Sequence, residues 1–430
     1  MSWSAAIQIP YARRGAPPTG ATEQEDRVAV FPSPVSRRAR SAVAATFLCH
    51  SAAFTTFAPR IPAIRDDLGL SLDDLGIALG GFAVGLLVGT RLVGWFEVNH
   101  RTGTAIRVLL PLACLTLVGP AFATDLLSLT LLLALFGVAG GAVDVVMNVH
   151  AVAVERHYRR PIMSSFHGLW SVGGMLGSAL AALAARYDVD VRVHFAAVAV
   201  VLVIGSWWPL SRVLDAAAEA AGAVRVAAAH AAPHRRSATG FVVLALAAMG
   251  FGSFLLEGSV ADWSALFLQD ERGASAGVAA LGLTVFSAAM AVSRLTGDRL
   301  GLALGPVTLA RSGAVVALAG FAVLLNVPDE VAGLVAFGLI GLGIGPVVPL
   351  VFSAAGNTAS TRRSSVLGLA VSAGYVGGVA GPVAIGALAE RLGLSTALTT
   401  PLVFVGLILA GAGLLRAAAV AHDAAQDVHR

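Results

Sequence analysis

The sequence has no lysine: all 29 of its basic residues are arginine. A Walker-type phosphate loop, G-x-x-x-x-G-K-[ST], needs a lysine on the phosphates, so ATP-driven work by such a loop is excluded for this chain alone. The uniform arginine reads as a bias towards GC-rich codons, without functional meaning. Cysteine is nearly absent too. Cys49 and Cys114 are the only two, both inside apolar runs. That rules out an extracytoplasmic disulfide framework and any cysteine-based metal spacing. No cofactor and no metal is called for. Charged residues make up only 13% of the chain and hydrophobic ones 57%, against about 25% and 45–50% in an ordinary soluble domain. One soluble core scaled up does not fit.

Long apolar runs are what the chain has instead. Twelve recur at 41–59, 74–96, 105–123, 126–149, 162–185, 192–210, 240–265, 277–297, 306–327, 331–354, 364–389 and 396–416. Each is about 19–25 residues, the length a helix needs to cross roughly 30 Å of hydrocarbon. The expected fold is all-α and polytopic. Residues 1–40 read as a flexible cytoplasmic tail without a signal-type apolar region. Residues 211–239 form a polar, Ala-rich connector, and 417–430 a second tail.

Placing both termini in the cytoplasm puts six arginines outside, Arg60, Arg65, Arg186, Arg192, Arg272 and Arg391, and the other 23 inside. The acids lean the other way, with Asp66, Asp67, Asp73, Asp74, Asp270, Glu271, Asp329 and Glu330 outside. That asymmetry is the positive-inside rule and gives the orientation. The basic residues line a membrane face, so no nucleic-acid partner is expected.

The chain also repeats itself. "SSFHGLWSVGGMLG" from Ser164 matches "SSVLGLAVSAGYVG" from Ser364, pairing Gly174 with Gly374 and Gly177 with Gly377. Arginine pairs precede both, and "FGVAG" at Phe136 pairs with "FGLIG" at Phe337. Two six-helix units, 41–210 and 240–416, follow from this. Two such bundles with a central cytoplasmic loop resemble the major facilitator superfamily. The stretches "RIPAIRDDLGLS" from Arg60, "VDVVMNVHAVAVERHYRRPIMSSFHGLWSVGG" from Val143 and "EGSVADWSALFLQD" from Glu257 are similar to its YbjJ-type branch of bacterial inner-membrane transporters. The resemblance implies alternating access, the halves rocking about a central site lined by the first, fourth, seventh and tenth helices. Two departures stand out. The G-x-x-x-D-R-x-G motif after the second helix is degenerate, "GWFEVNHRTG" from Gly94. Its second-half copy keeps Asp298, Arg299 and Gly301, with Arg294 one turn earlier. The fourth helix also lacks the arginine often found there in proton-linked members.

Polar residues inside the runs are the site candidates. At 100° per residue, Gly137, Gly140, Gly141, Asp144, Asn148 and Glu155 fall within an arc of roughly 100°. A carboxylate facing lipid is costly, so this strip must face protein or water. Asp144 and Asn148 then serve either solute and protons or a tie between helices. The seventh run offers Glu257 near mid-membrane, with Asp262 and Trp263 towards its outer end, where a tryptophan normally anchors at the interface. His50 lies mid-membrane on the first run. His167 and Trp170 share a glycine-rich strip on the fifth, where small residues are first a packing device. Pro346 and Pro349 break the tenth helix and free backbone carbonyls. Arg294, Asp298, Arg299, Gly174 and Gly374 are candidates for gating.

These readings lead to a secondary active transporter of a small organic solute, linked to protons, monomeric, and embedded in the cell inner membrane with both termini cytoplasmic. The alternative is a sensor or scaffold that keeps the fold without transporting. A membrane enzyme is disfavoured, because no paired nucleophile and base or metal-ligand cluster is spaced for it.

Overall fold

The computed structural model describes residues 34–95, 102–158, 162–213, 240–357 and 363–416. The tails up to residue 33 and from 417, the connector beyond residue 213 and the loop carrying "FEVNHR" lie outside the described residues. Every regular element among the described residues is helical. The long helices are α1 (Pro34–Phe57), α2 (Leu72–Trp95), α3 (Thr102–Thr116), α4 (Leu126–Tyr158), α5 (Met163–Arg186) and α6 (Val191–Leu210) in the first half. The second half holds α7 (Gly240–Leu266), α8 (Ala276–Leu304), α9 (Pro306–Asn326), α10 (Glu330–Ile344), α11 (Arg363–Leu392) and α12 (Thr400–Gly411). Among the described residues eleven helical segments are long and apolar enough to cross a membrane. The 30-residue α11 makes the twelfth long helix. Helix α1 starts at Pro34, ahead of the predicted 41, because a proline at a first helical position gives up no hydrogen bond.

Lipid is as apolar as leucine, so close packing and not hydrophobic burial holds such helices together. The sequence supplies this with glycine. On α2 and α4, a Cβ on Gly85, Gly89, Gly137 or Gly141 would overlap a backbone carbonyl of the partner helix. The same contact joins α5 to α1 through Gly173 and Gly177, and α11 to α7 through Gly377. The halves therefore repeat their pairings: α1–α5 and α2–α4 in one, α7–α11 and α8–α10 in the other. The glycines matched by the repeat, Gly174 and Gly374, sit one step off these seams. A Cβ on Gly174 would meet Ser51, Thr55 and Ser287 Oγ at 3.3, 3.4 and 3.7 Å, a junction of α1, α5 and α8. One on Gly374 would meet the Phe254 ring at 2.9 Å.

The halves meet along α5–α8 and α2–α11. On the face away from the termini they are also tied by polar contacts. After α1 comes a 3-10 turn and a short helix, Ile61–Leu68, ended by Gly69 at φ +62. After α7 the chain runs on as a π turn, Phe267–Glu271. Arg65 bonds Asp270 across this gap at 2.6 Å, and Gln269 reaches Asp66 at 3.5 Å. On the α2–α11 side Glu390 accepts from the Leu72 N–H at 3.1 Å, where a helix N-terminus favours a carboxylate. Gly76 and Gly386 bring the two backbones together just below.

Three of the arginines expected outside have local carbonyl partners. Arg60 is buried and donates to the Val189 carbonyl at 2.6 Å, Arg272 donates to Leu324 at 2.5 Å, and Arg192 to Ala121 at 3.1 Å. Each satisfies a carbonyl at a helix end or loop, where the last turns leave acceptors without partners. Trp263 corrects the interface reading. It is fully buried, packed on the side of α7 away from Glu257. Among the described residues Trp207 and Trp208 are the exposed tryptophans instead, and Arg212 stacks on Trp208 at 3.6 Å.

Candidate functional site

Helix α7 shows why the site lies between the halves. From Met249 to Leu268 the positions that are not buried are Phe251, Phe254, Glu257, Gly258, Ala261 and Asp262, and every other one is buried. The strip carries two carboxylates, which cannot face hydrocarbon at acceptable cost. It must border an internal, wettable space. A Cβ at Gly258 would touch nothing within 4 Å, so that space opens beside Glu257. Helix α5 gives the same geometry from the other half. Its outward face is Leu176, Leu180 and Leu183, all exposed. His167 is exposed as well, yet nine residues before Leu176 it lies about 180° around the helix. Its exposure is to the interior.

Arg294 joins these walls. Its Nη2 donates to Glu257 Oε1 at 2.6 Å, its Nε to the Gly345 carbonyl at 3.2 Å and its Nη1 to Ser171 Oγ at 3.4 Å. The pair is mostly enclosed, with 12% of the Arg294 side chain and 27% of Glu257 exposed. A guanidinium has five N–H donors in a rigid plane. Among the described residues three are used, so two remain, and one carboxylate oxygen of Glu257 accepts no hydrogen bond. Ser171 belongs to the first half, which makes this a bond across the two halves.

From Ser171 the contacts continue through the first half. His167 lies one turn before it and packs edge-on against Phe47 of α1 at 5.5 Å. Trp170 stacks near His50 at 5.0 Å, and His50 lies 4.6 Å from Phe54. His50 Nε2 bonds the Gly140 carbonyl at 3.1 Å, so His50 links α1 to α4. The Phe54 ring lies where a side chain at residue 140 would be, so glycine is required there. One turn on, Asn148 Nδ2 donates to the Asp144 carbonyl at 2.8 Å and approaches Asp144 Oδ1 at 3.3 Å. Both are half-buried. Glu155, on the same strip, accepts from the Ile162 and Met163 N–H groups at 2.8 Å each and caps α5.

Four of the sequence candidates thus join one chain of contacts across α7, α8, α5 and α1 to the Gly140 carbonyl of α4: Glu257, His167, Trp170 and His50; Asp144 and Asn148 pair with each other further along α4. Arg294, expected among gating residues, is the link that completes it. Asp262 lies on the α7 strip, half-buried and further from the termini. Arg299 is exposed at the far end of α8, and the Asp298 side chain lies outside the described residues. Ser171 and Phe54 carried no signal in the sequence. Pro346 and Pro349 did: α10 stops at Ile344 and the chain becomes helical again at Val347. The Gly345 carbonyl freed there is taken by Arg294, not left open for solute. Among the described residues no group of three or more His, Cys, Asp or Glu is placed to hold a metal ion.

Known proteins agree with this architecture. The family profile of the Major Facilitator Superfamily matches residues 43–382. An uncharacterized MFS-type transporter of Yersinia pestis is 31% identical over 341 residues, covering 79% of this chain and 86% of that protein. An uncharacterized transporter of Sinorhizobium fredii is 35% identical over 356 residues, covering 81% and 90%. Among solved structures, a D-xylose-proton symporter superposes with a TM-score of 0.68 at 12% identity, covering 88% of this chain and 96% of that one. The nucleoside transporter NupG superposes at 0.61 and 13%, covering 90% and 99%. A transporter and not an enzyme, built of membrane helices in two pseudo-symmetric bundles, this chain belongs to the major facilitator superfamily.

Proposed function

We propose that the chain is a secondary active transporter that moves a small, net-neutral organic solute by alternating access, coupled to protons. The observation that carries this is the Glu257–Arg294 pair, enclosed between the halves and bonded to Ser171 of the opposite half. Its charges cancel, so a multiply charged solute would upset the balance. Its spare donors and acceptor suit hydroxyl groups, each of which both donates and accepts. Sugars and polyols have that chemistry. A proton reaching Glu257 releases Arg294 from its partner, and with it the bond to Ser171. Asp144 and Asn148 form the solute-binding group nearer the termini, and Asp262 a contact nearer the opposite face. The test is a thermal-shift screen of metabolites, then uptake of labelled pentoses, hexoses and polyols into proteoliposomes with an imposed pH gradient. Stabilisation by multiply charged solutes alone would overturn the reading.

The units 41–210 and 240–416 are the rocking bodies, joined by the cytoplasmic connector 211–239, with the chain monomeric in the inner membrane. In a background lacking Cys49 and Cys114, Ser237→Cys should resist an impermeant maleimide in intact cells and react after permeabilisation. Labelling of intact cells would reverse the orientation.

Rocking needs the junctions at Gly174 and Gly374 to slide. Leucine at either position fills space now held by Ser51, Thr55 and Ser287, or by the Phe254 ring. Gly174→Leu and Gly374→Leu should each abolish uptake while the protein inserts in normal amounts. Normal uptake by both, alongside normal insertion, would show that these positions do not move against their neighbours.

A further inference from the structure

We propose that Pro349 is a positioning residue of this centre: by lacking an N–H it leaves the Gly345 carbonyl free to hold Arg294 at the angle at which it meets Glu257. The purpose assigned to that hold rests on the transport reading above; the geometry does not. In an unbroken helix the carbonyl of residue 345 accepts from the N–H of residue 349. Proline has no N–H to give. On either side of it the Gly345 N–H bonds the Gly341 carbonyl at 3.1 Å and the Leu350 N–H the Pro346 carbonyl at 3.2 Å. Gly345 keeps right-handed helical angles, φ −50 and ψ −42. Across the break between Ile344 and Val347, Pro349 gives the Gly345 carbonyl no backbone donor, and the Arg294 Nε fills that place at 3.2 Å.

Glycine at 345 is the second part of the device. A Cβ there would lie 3.0 Å from Ser293 Cβ and 3.1 Å from Ser293 Oγ, so glycine lets this carbonyl approach α8 without displacing Ser293. Because the guanidinium is planar, fixing its Nε also fixes the directions of both Nη groups. Lysine could not transmit such a constraint. The first half handles the same level differently. At the 201-residue offset that pairs Phe136 with Phe337, Gly345 corresponds to Asp144 and Pro349 to Asn148. There residue 148 keeps its N–H, and its side chain also bonds the Asp144 carbonyl, at 2.8 Å.

The test needs no solute. Full-length protein labelled with 15N-arginine is placed in nanodiscs, and the Arg294 Nε–H signal is identified as the one missing from Arg294→Lys. In the native protein this proton should persist after transfer to D2O. In Pro349→Ala the new amide takes the Gly345 carbonyl, and the Arg294 proton should exchange about tenfold faster or more, as expected for loss of a hydrogen bond to a charged group. Gly345→Ala, which forces the carbonyl away from Ser293, should do the same and replaces Pro349→Ala if that variant does not fold. Pro346→Ala should leave the signal unchanged, since its amide would bond residue 342. Native protection of Arg294 in both Pro349→Ala and Gly345→Ala would overturn the assignment, as would equal loss in Pro346→Ala. Failure of the transport reading looks different: Arg294→Lys would then take up the solute normally, whatever the exchange data show.

Discussion

Glu257→Gln should lose gradient-driven accumulation of solute, by tenfold or more, while solute exchange across the membrane continues. Glutamine keeps the shape and hydrogen bonds of the side chain but cannot take up or release a proton. Exchange requires the binding site and the rocking motion but no net proton movement, so it survives. Arg294 gives the complementary result. Its charge is held by Glu257 at 2.6 Å in a mostly enclosed setting, and removing one member of such a pair leaves the other charge uncompensated. Glu257→Gln and Arg294→Gln should therefore each lower the unfolding temperature in detergent, and the double variant should unfold at a higher temperature than either single one. Such non-additivity is what two groups in direct contact produce. Counterflow and pH-driven uptake in proteoliposomes give the transport arm, and thermal unfolding gives the stability arm. Full accumulation by Glu257→Gln would remove it from the proton path and leave His50 or Asp262 to be tried.

Apolar length made the twelve helices readable from sequence, because membrane spans obey a length set by the bilayer. The two-half plan was readable because the repeat kept its glycines in register. Within the site, a carboxylate in an apolar run is visible by its cost alone, which is how Asp144, Glu257 and Asp262 were found. Partners were not visible. Arg294 sits 37 residues from Glu257 and 123 from Ser171 along the chain, and no local pattern encodes a pairing that distant. Its motif-like setting pointed instead to a gate. Trp263 was misread for a related reason. Position along the helix suggested an interface anchor, but rotation about the helix axis puts it in the core, because Glu257 and Asp262 occupy the wetter side. Pro349 was read correctly as a break, yet which group would use the freed carbonyl depended on where α8 packs.

Gly386→Leu should push the molecule out of the state described here and into one open on the face away from the termini. In the present state a Cβ at residue 386 would lie 2.7 Å from the Leu72 carbonyl oxygen and 2.8 Å from Gly76 Cα. Those are backbone atoms at the N-terminal end of α2 and cannot turn aside as a side chain would. The overlap exists only while α2 and α11 touch, so it raises the energy of one state and not the other, which is the condition for shifting a population. Overpacking of this kind costs about 1–3 kcal/mol, enough to move a two-state equilibrium roughly 5–150-fold. The Arg65–Asp270 and Glu390–Leu72 contacts hold the same face, and exposed contacts of that kind contribute only about 0–1 kcal/mol each. They should yield to the backbone clash. The reporter is Ala261→Cys, on the α7 strip between Glu257 and Asp262, in a background without Cys49 and Cys114. An impermeant maleimide added to intact cells should label it at least about fivefold faster when Gly386→Leu is present, at the low end of that same shift. Uptake should fall in parallel, because the protein can no longer close on that side. Unchanged labelling with normal uptake would mean that α2 and α11 do not separate on this face during the cycle.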